Sequence, residues 1–202
     1  MRVAAIFFLT ACYCAGQSIT MGALGGVRVT DVGIPGSTSE AKRYIVGPSI
    51  EVGLPAGFSL EAAGLYSRVG YQYAYSGSDG IQSFSDSASE RDNVWTIPAV
   101  VKYRIPLRPV HPFVVAGGAR RSFSGSATYM STSTNPSYSS GGTSKTDYPA
   151  SVGVVGGLGA QLSFGKLQLA PQVRFTHWNR EFGSISSRQE VDLLVGIGWK
   201  FR

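Results

Sequence analysis

The sequence predicts an all-β chain, folded as an eight-stranded antiparallel barrel of up-and-down topology. Three observations carry this: segments of about ten to fourteen residues in which apolar and polar side chains alternate, connections that alternate between short and long, and an unusual composition. The 202 residues include 26 glycines, 10 tyrosines and 10 phenylalanines, with only 15% charged residues. Glycine at this level without a collagen period suits many short strands and small side chains crowded inside a barrel. Mean hydropathy is only +0.05, so apolar helices do not dominate.

The chain opens with Arg2, the apolar run Val3 to Leu9, and small residues up to Gly16. This reads as a secretory signal peptide over 1–16, too short to span a bilayer, with the barrel occupying 17–202. Both cysteines, Cys12 and Cys14, would leave with it. An alternative is a lipobox, Leu9-Thr10-Ala11-Cys12, in which Cys12 is acylated. After Gln17 no run of about 18 apolar residues remains, so an exported chain of this kind is periplasmic, secreted or inserted in the outer membrane as strands.

Eight segments follow. The first three are Ser18 to Thr30, Tyr44 to Leu54 and Phe58 to Tyr71, with Arg28, Glu51 and Glu61 on the less apolar faces. In the fourth, Trp95, Ile97, Ala99, Val101, Tyr103 and Ile105 oppose Thr96, Lys102 and Arg104. In the fifth, Phe113, Val115, Gly117 and Ala119 are set against Ala116, Gly118 and Arg120. In the sixth, Val152, Val154, Leu158, Ala160, Leu162 and Phe164 face away from Ser151, Gly153, Gly157, Gly159 and Gln161. The seventh places Leu167, Leu169, Pro171, Val173 and Phe175 opposite Gln168, Gln172, Arg174 and Thr176. The eighth is clearest, with Val191, Leu193, Val195, Ile197, Trp199 and Phe201 on one face and Asp192, Leu194, Gly196, Gly198 and Lys200 on the other.

Short connections, Leu54 to Gly57, Pro106 to His111 and Gly165-Lys166, alternate with long ones. The long stretches Asp31 to Arg43, Gln72 to Asp92 and Phe123 to Pro149 are rich in Ser, Thr, Gly and Asn and read as loops. Glu181 to Gln189 is intermediate. Short turns on one side and long loops on the other form the outer-membrane pattern, and an even strand count leaves both termini on the periplasmic side.

Alternation alone does not say which face is inside, because a soluble periplasmic ligand-binding barrel shows the same period. The polar face decides. Arg28, Glu51, Glu61, Lys102, Arg104, Arg120, Arg174 and Asp192 mix both signs with glycine and glutamine, as a narrow lumen of paired charges requires. The apolar face would then meet lipid, and Trp95, Tyr103, Phe113, Phe164, Phe175, Trp199 and Phe201 would form aromatic girdles at headgroup depth.

The penultimate strand QLAPQVRFTHW (Gln168 to Trp178), the closing strand VDLLVGIGWKF (Val191 to Phe201) and PFVVAGGARR (Pro112 to Arg121) resemble the small bacterial outer-membrane barrels that include the OmpA transmembrane domain, OmpX and the opacity proteins. The resemblance implies a monomer in the outer membrane, in contact with lipid and lipopolysaccharide. It also implies a closing strand read by the barrel-assembly machinery through its terminal aromatic. Here Phe201 is penultimate and Arg202 follows.

Little chemistry is visible. Two histidines and no mature cysteine disfavour a zinc site, Asp79 and Asp86 lack the ordered acidic pattern of a calcium loop, and no cofactor motif is present. The net charge of +6 is scattered rather than gathered into a basic stretch with aromatics, so nucleic acid is not an expected partner. His111 sits in the proline-bracketed turn RPVHPF and needs only a structural explanation. One constellation, His177, Asn179 and Glu190, resembles the lipid A deacylase barrels, where a His-x-Ser pair and a glutamate form a lipid-exposed triad. Asn179 stands at the serine position and is no nucleophile. The expectation is therefore a non-enzymatic barrel with no open channel, its function in the loops at 72–92 and 123–149, where tyrosine mixed with Ser, Thr and Gly suits adhesion-like surface contact. Deacylase and periplasmic binding barrel are the alternatives.

Overall fold

The computed structural model describes residues 18–30, 38–39, 42–78, 80, 82–107, 109–134, 137–181 and 187–201. The expected signal segment, Cys12 included, lies outside them. The strands are β1 (Ile19–Arg28), β2 (Thr38–Ser39), β3 (Lys42–Gly53), β4 (Phe58–Ala63), β5 (Leu65–Ser78), β6 (Ser83–Arg104), β7 (His111–Thr134), β8 (Ser137–Phe164), β9 (Leu167–Trp178) and β10 (Gln189–Phe201). β4 and β5 are one stave interrupted at Gly64, because their registers with β3 and with β6 carry across the break; β3 has a bulge further on, between Lys42 and Ile45. β2 is a two-residue flank on β5. The wall therefore has eight staves, and pairing of β1 with both β10 and β3 closes the ring.

The short turns are local chemistry. Pro55–Gly57 forms a single 3-10 turn with Ala56 at φ +59°. Gly165 opens the two-residue β8–β9 turn at φ +65°, the position where a type II′ hairpin wants glycine. These turns and both ends of the ring share one rim.

The other rim corrects one expectation. Within the stretches 72–92 and 123–149, the described residues 72–78 and 83–92, and 123–134 and 137–148, are paired as antiparallel ladders rather than loops: β5–β6 pairing runs to Ser78↔Ser83 and β7–β8 pairing to Thr134↔Ser137. Ser, Thr and Tyr are good strand residues, and a ladder with water on both faces needs no apolar period. β6–β7 pairing reaches Phe84↔Ser133, whereas β8–β9 pairing stops at Gly153↔Trp178 and β3–β5 pairing at Lys42↔Arg68. β5 to β8 thus rise together as a four-stranded blade above the rest of the wall.

Side chains sort by side. Val101, Val114, Val154, Leu158, Val173, Leu193, Val195 and Ile197 are exposed on the outside, while the interior holds Leu24, Ile45, Leu65, Val100, Phe113, Val115 and Leu194 among buried charges. The lipid-contacting reading of the apolar face follows from this arrangement, which leaves no room for the soluble alternative. No helix among the described residues is long and apolar enough to cross a membrane; the crossing is made by strands.

Candidate functional site: the filled lumen and the projecting blade

Seven of the eight expected lumen charges lie inside the wall, in two groups. In the first, Lys102 Nζ donates to Glu51 at 2.7 Å and to Glu61 at 2.5 Å. Arg104 pairs with Glu51, and Arg174 with Glu61. Arg174 also donates to Gln172 Oε1 at 3.0 and 3.2 Å. Each carboxylate thus meets two cations, the condition under which buried charge is tolerable. Lys102 stands 4.7 Å from the centroid of the Phe113 ring. A cavity of about 30 Å³ beside this group, walled by Thr20, Glu51, Glu61, Lys102, Gln161 and Gln168, has room for one or two waters.

In the second group Arg28 donates to Glu190 at 2.6 Å and to Asp192 at 3.3 Å. Glu190 also accepts from Arg121 at 3.4 Å and from the Trp178 indole at 3.2 Å. The Arg121 guanidinium lies 4.1 Å from the Trp178 ring and 5.2 Å from the Phe123 ring.

Two expected placements are overturned, and they share one cause. Arg120, expected in the lumen, is exposed on the outer face, and the neighbouring Arg121 is 1% exposed inside. Phe113, expected in the girdle, is also 1% exposed and inside. In PFVVAGGARR both faces are apolar or small, so the stretch has no period-two contrast and the phase turned on which of two adjacent arginines faces inward. Space decides it: a Cβ at Gly159 would stand 2.5 Å from the Phe113 ring, so glycine there is what admits the phenylalanine.

The other six girdle residues are outward and exposed, and they form two rows. Phe58 and Tyr103, 4.8 Å apart, stand with Phe164, Trp199 and Phe201 near the short-turn rim. Trp95 lies 5.4 Å from Tyr66, which lies 6.4 Å from Tyr44, on the far side. Between Trp95 and Tyr103 the strand rises about 26 Å, or about 20 Å along a barrel axis tilted by about 40°. That is a hydrocarbon-sized belt.

Sequence reading missed Glu90, Asp92, Arg121, Trp178 and the lumen role of Glu190. A signal was present for three of them: carrying the Thr96 phase back along β6 reaches Asp92 and Glu90, and carrying the Arg174 phase along β9 reaches Trp178. Tyr148 donates to Glu90 at 2.8 Å. Partial burial and the carboxylates of Glu90 and Asp92 raise the phenol pKa of Tyr148 and of Tyr71 above the usual tyrosine value.

The deacylase-like constellation does not assemble. His177 is exposed on the outer face, Glu190 is buried with Arg28 and Arg121, and the wall stands between them. Asn179 Oδ1 accepts from Ser151 Oγ at 3.0 Å and from the Val152 amide at 3.1 Å. No group of three or more metal-ligating side chains occurs among the described residues.

Above the aromatic row Tyr44–Tyr66–Trp95 the blade has two unlike faces. The face continuing the lumen carries Tyr71, Tyr73 and Tyr75 on β5, Phe84, Asp86, Ala88 and Glu90 on β6, Tyr129 and Ser131 on β7, and Tyr138 on β8. The face continuing the lipid side is mostly Ser and Thr, as at Ser76, Ser85, Ser87, Thr128, Thr132 and Ser139.

No family model matches the sequence, and no curated protein is similar to it in sequence. Among solved structures the chain is similar to Neisserial surface protein A, at 14% identity over 93% of this chain and 98% of that one, with a TM-score of 0.46. It is similar to the N-terminal β-barrel domain of Pseudomonas aeruginosa OprF at 16% identity over 91% and 97%, TM-score 0.42. It is also similar to Ail, the attachment invasion locus protein of Yersinia pestis, at 11% identity over 92% and 97%, TM-score 0.42. The assignment comes from the chain's own features: eight staves in a bonded ring, charges paired inside, an apolar belt with two aromatic rows outside, and strands that cross where no helix does. This chain is a small membrane-spanning β-barrel of the outer-membrane type.

Proposed function

We propose that the barrel is a non-conducting, non-enzymatic anchor and that the blade is its working part, a surface for adhesion-like contact outside the cell. One observation carries the reading: the ladders of β5 to β8 stay paired to their tips, so Tyr73, Tyr75, Tyr129 and Tyr138 stand exposed on a stiff sheet clear of the belt. Tyrosine amid serine and glycine gives large contact area at low conformational cost. The same reading takes lipopolysaccharide phosphates to the outward Lys42, Arg68 and Arg91 just beyond the aromatic row. It gives the barrel-assembly machinery the closing strand ending at Phe201.

The test is to remove residues 74–87 and 128–143, replacing each hairpin end by a two-residue turn, and to compare adhesion of expressing cells to epithelial layers and to fibronectin-coated surfaces. Adhesion is expected to fall to the level of cells lacking the protein. Unchanged adhesion, with the trimmed barrel present in the outer membrane, overturns the reading. In planar bilayers the intact barrel should give no porin-sized conductance steps, and its expression should leave lipid A acylation unaltered.

A further inference from the structure

At the depth of the aromatic row Tyr44–Tyr66–Trp95 the outer wall is of two kinds. Pairing lines climb as they pass from β6 round to β3: Tyr103, near the short-turn rim, registers through Val114, Leu158, Val173, Leu193 and Val27 with Tyr44 in the far row. The eight residues from Tyr103 to Trp95 along β6 are thus regained over six steps between strands, about 1.3 residues at each. Arg120 is one step on from Ile97, and His177 is three steps on from Ala99, through Gly118 and Val154. Both therefore arrive at the depth of Trp95. There β3, β5 and β6 present aromatic rings, whereas β7 and β9 present Arg120 and His177.

Arg120 and His177 are exposed on the outer face, and neither has a hydrogen-bond or ion-pair partner among the described residues. The strand neighbours of Arg120 are Ile97 and Val152, both apolar and more than half exposed. Below Asp147, the outward faces of β7 to β10 hold no carboxylate among the described residues, and Glu181, past the end of β9, is taken by Arg188 at 3.0 Å. An arginine at the edge of hydrocarbon without a counter-ion is destabilising, and a lipid phosphate within its reach removes that cost.

Beneath them the same stretch of wall is dented. Pairing of β8 with β9 lapses between Gly159↔Gln172 and Leu162↔Leu169, where Pro171 has no N–H to give to the ladder. Ala160 and Pro171 floor an apolar groove of about 640 Å³, with Leu158, Val173, Leu193 and Val195 as its sides. His177, Phe175, Val173 and Pro171 are alternate residues on the outward face of β9, so the groove lies in line with His177. The Cα atoms of Arg120 and His177 are two strands and about 12 Å apart, a gap that an arginine side chain and one phosphate group span. Val154, between them, is 70% exposed.

We propose that this stretch of wall holds a lipid with an anionic phosphate headgroup, its phosphate between Arg120 and His177 and one acyl chain in the groove. Arg120 supplies charge and a planar pair of donors, the imidazole of His177 donates an N–H to a second phosphate oxygen, and the groove adds aliphatic contact. Charge and groove together select a phosphate that carries chains over either part alone. The site is separate from Lys42, Arg68 and Arg91, and it does not depend on what the blade contacts.

The test uses the full barrel in a neutral maltoside detergent, with bound lipid counted by native mass spectrometry. Dioleoyl phosphatidic acid is titrated against dioleoylglycerol, which has the same chains and no phosphate, and inorganic phosphate is added as the anion without chains. One phosphatidic acid is expected to be retained at least about tenfold more tightly than dioleoylglycerol and to resist displacement by inorganic phosphate. Arg120→Ser should weaken it by about fivefold, the effect of one cation near an anionic lipid surface, and His177→Ala by less. Ala160→Phe, which fills the groove, should weaken it by a similar factor with the charges intact. Ala62→Phe on the outer face of β4 and Lys145→Ser on the blade should change nothing. Equal retention of dioleoylglycerol overturns the proposal, as does displacement by inorganic phosphate, which would mark a site for the free anion. Indifference to Arg120→Ser or to Ala160→Phe, in variants that keep their heat-modifiable migration, also overturns it. Loss of the lipid with Arg68→Ser in place of Arg120→Ser would move the phosphate to the aromatic half and overturn it too.

Discussion

Below the row Tyr44–Tyr66–Trp95 and above it, the same four strands obey opposite rules. Within the belt, β6 turns Ile97, Ala99 and Val101 outward and Thr96, Val100 and Lys102 inward. In the blade it turns Ser85 and Ser87 outward and Phe84, Asp86 and Ala88 to the continuation of the lumen face. The backbone ladder does not notice the change, because its hydrogen bonds are indifferent to what each face meets. What changes is the solvent: hydrocarbon selects aliphatic side chains outside the belt, whereas above it both faces are wet and side-chain choice is released for binding. Stability should therefore depend on the belt and lumen, and recognition on the blade.

The sharpest way to break that division is in the lumen. Glu61 serves both Lys102 and Arg174, so Glu61→Ala leaves two buried cations short of a partner. A loss of about 3–5 kcal/mol is expected in urea unfolding followed by heat-modifiable migration. Asp86→Ala, also acidic but in the blade, should leave the unfolding midpoint where it is. Next in size is a charge placed outside. Val195→Arg in the middle of the belt is expected to cost about 2–4 kcal/mol, and Ser85→Arg on the blade's outer face close to nothing. Equal costs would mean that no hydrocarbon meets Val195.

The adjacent arginines of β7 sharpen the comparison further. Arg121 bonds Glu190 and covers Trp178, while Arg120 is exposed. Arg121→Ser should cost about 1–3 kcal/mol, the range for losing charged hydrogen bonds, and Arg120→Ser about 0.5 kcal/mol or less. The same measurement in lipid vesicles would confirm the inward and outward assignments independently.

These two residues also mark where the sequence stopped being legible. Strands such as β9 and β10 could be phased from residue types alone, since every second side chain is apolar and the alternates are mostly polar or glycine, and their registers follow. β7 could not be phased so, because Val114 outside and Phe113 inside have the same chemistry; only the room left by Gly159 distinguishes them. The blade was illegible for a different reason. Without a water–oil boundary there is no period to see, and Ser-rich strands resemble loops until a neighbour is there to pair with them. Glu190 resembles a triad glutamate on the strand after His177, whereas strand parity places it inside, with Arg28.

The smallest effect separates the regions by the same substitution. Gly165 in the β8–β9 turn and Gly80 in the connection from Ser78 to Ser83 both hold positive φ, +65° and +86°, and a Cβ would meet nothing within 4 Å at either. Alanine therefore brings only backbone strain, about 1–2 kcal/mol at each site. At Gly165 that strain sits in a turn joining two staves of the closed ring, and it should appear in full in global unfolding. At Gly80 it sits at the end of a hairpin whose tip can open without breaching the wall, so global stability should be unmoved. There the strain should surface as faster hydrogen exchange of the amides around Ser78 and Ser83, by up to about tenfold for each 1.4 kcal/mol, with the belt amides unaffected. A matching drop in global stability from Gly80→Ala would show that blade and barrel unfold as one unit, and that the two regions are less independent than their side chains suggest.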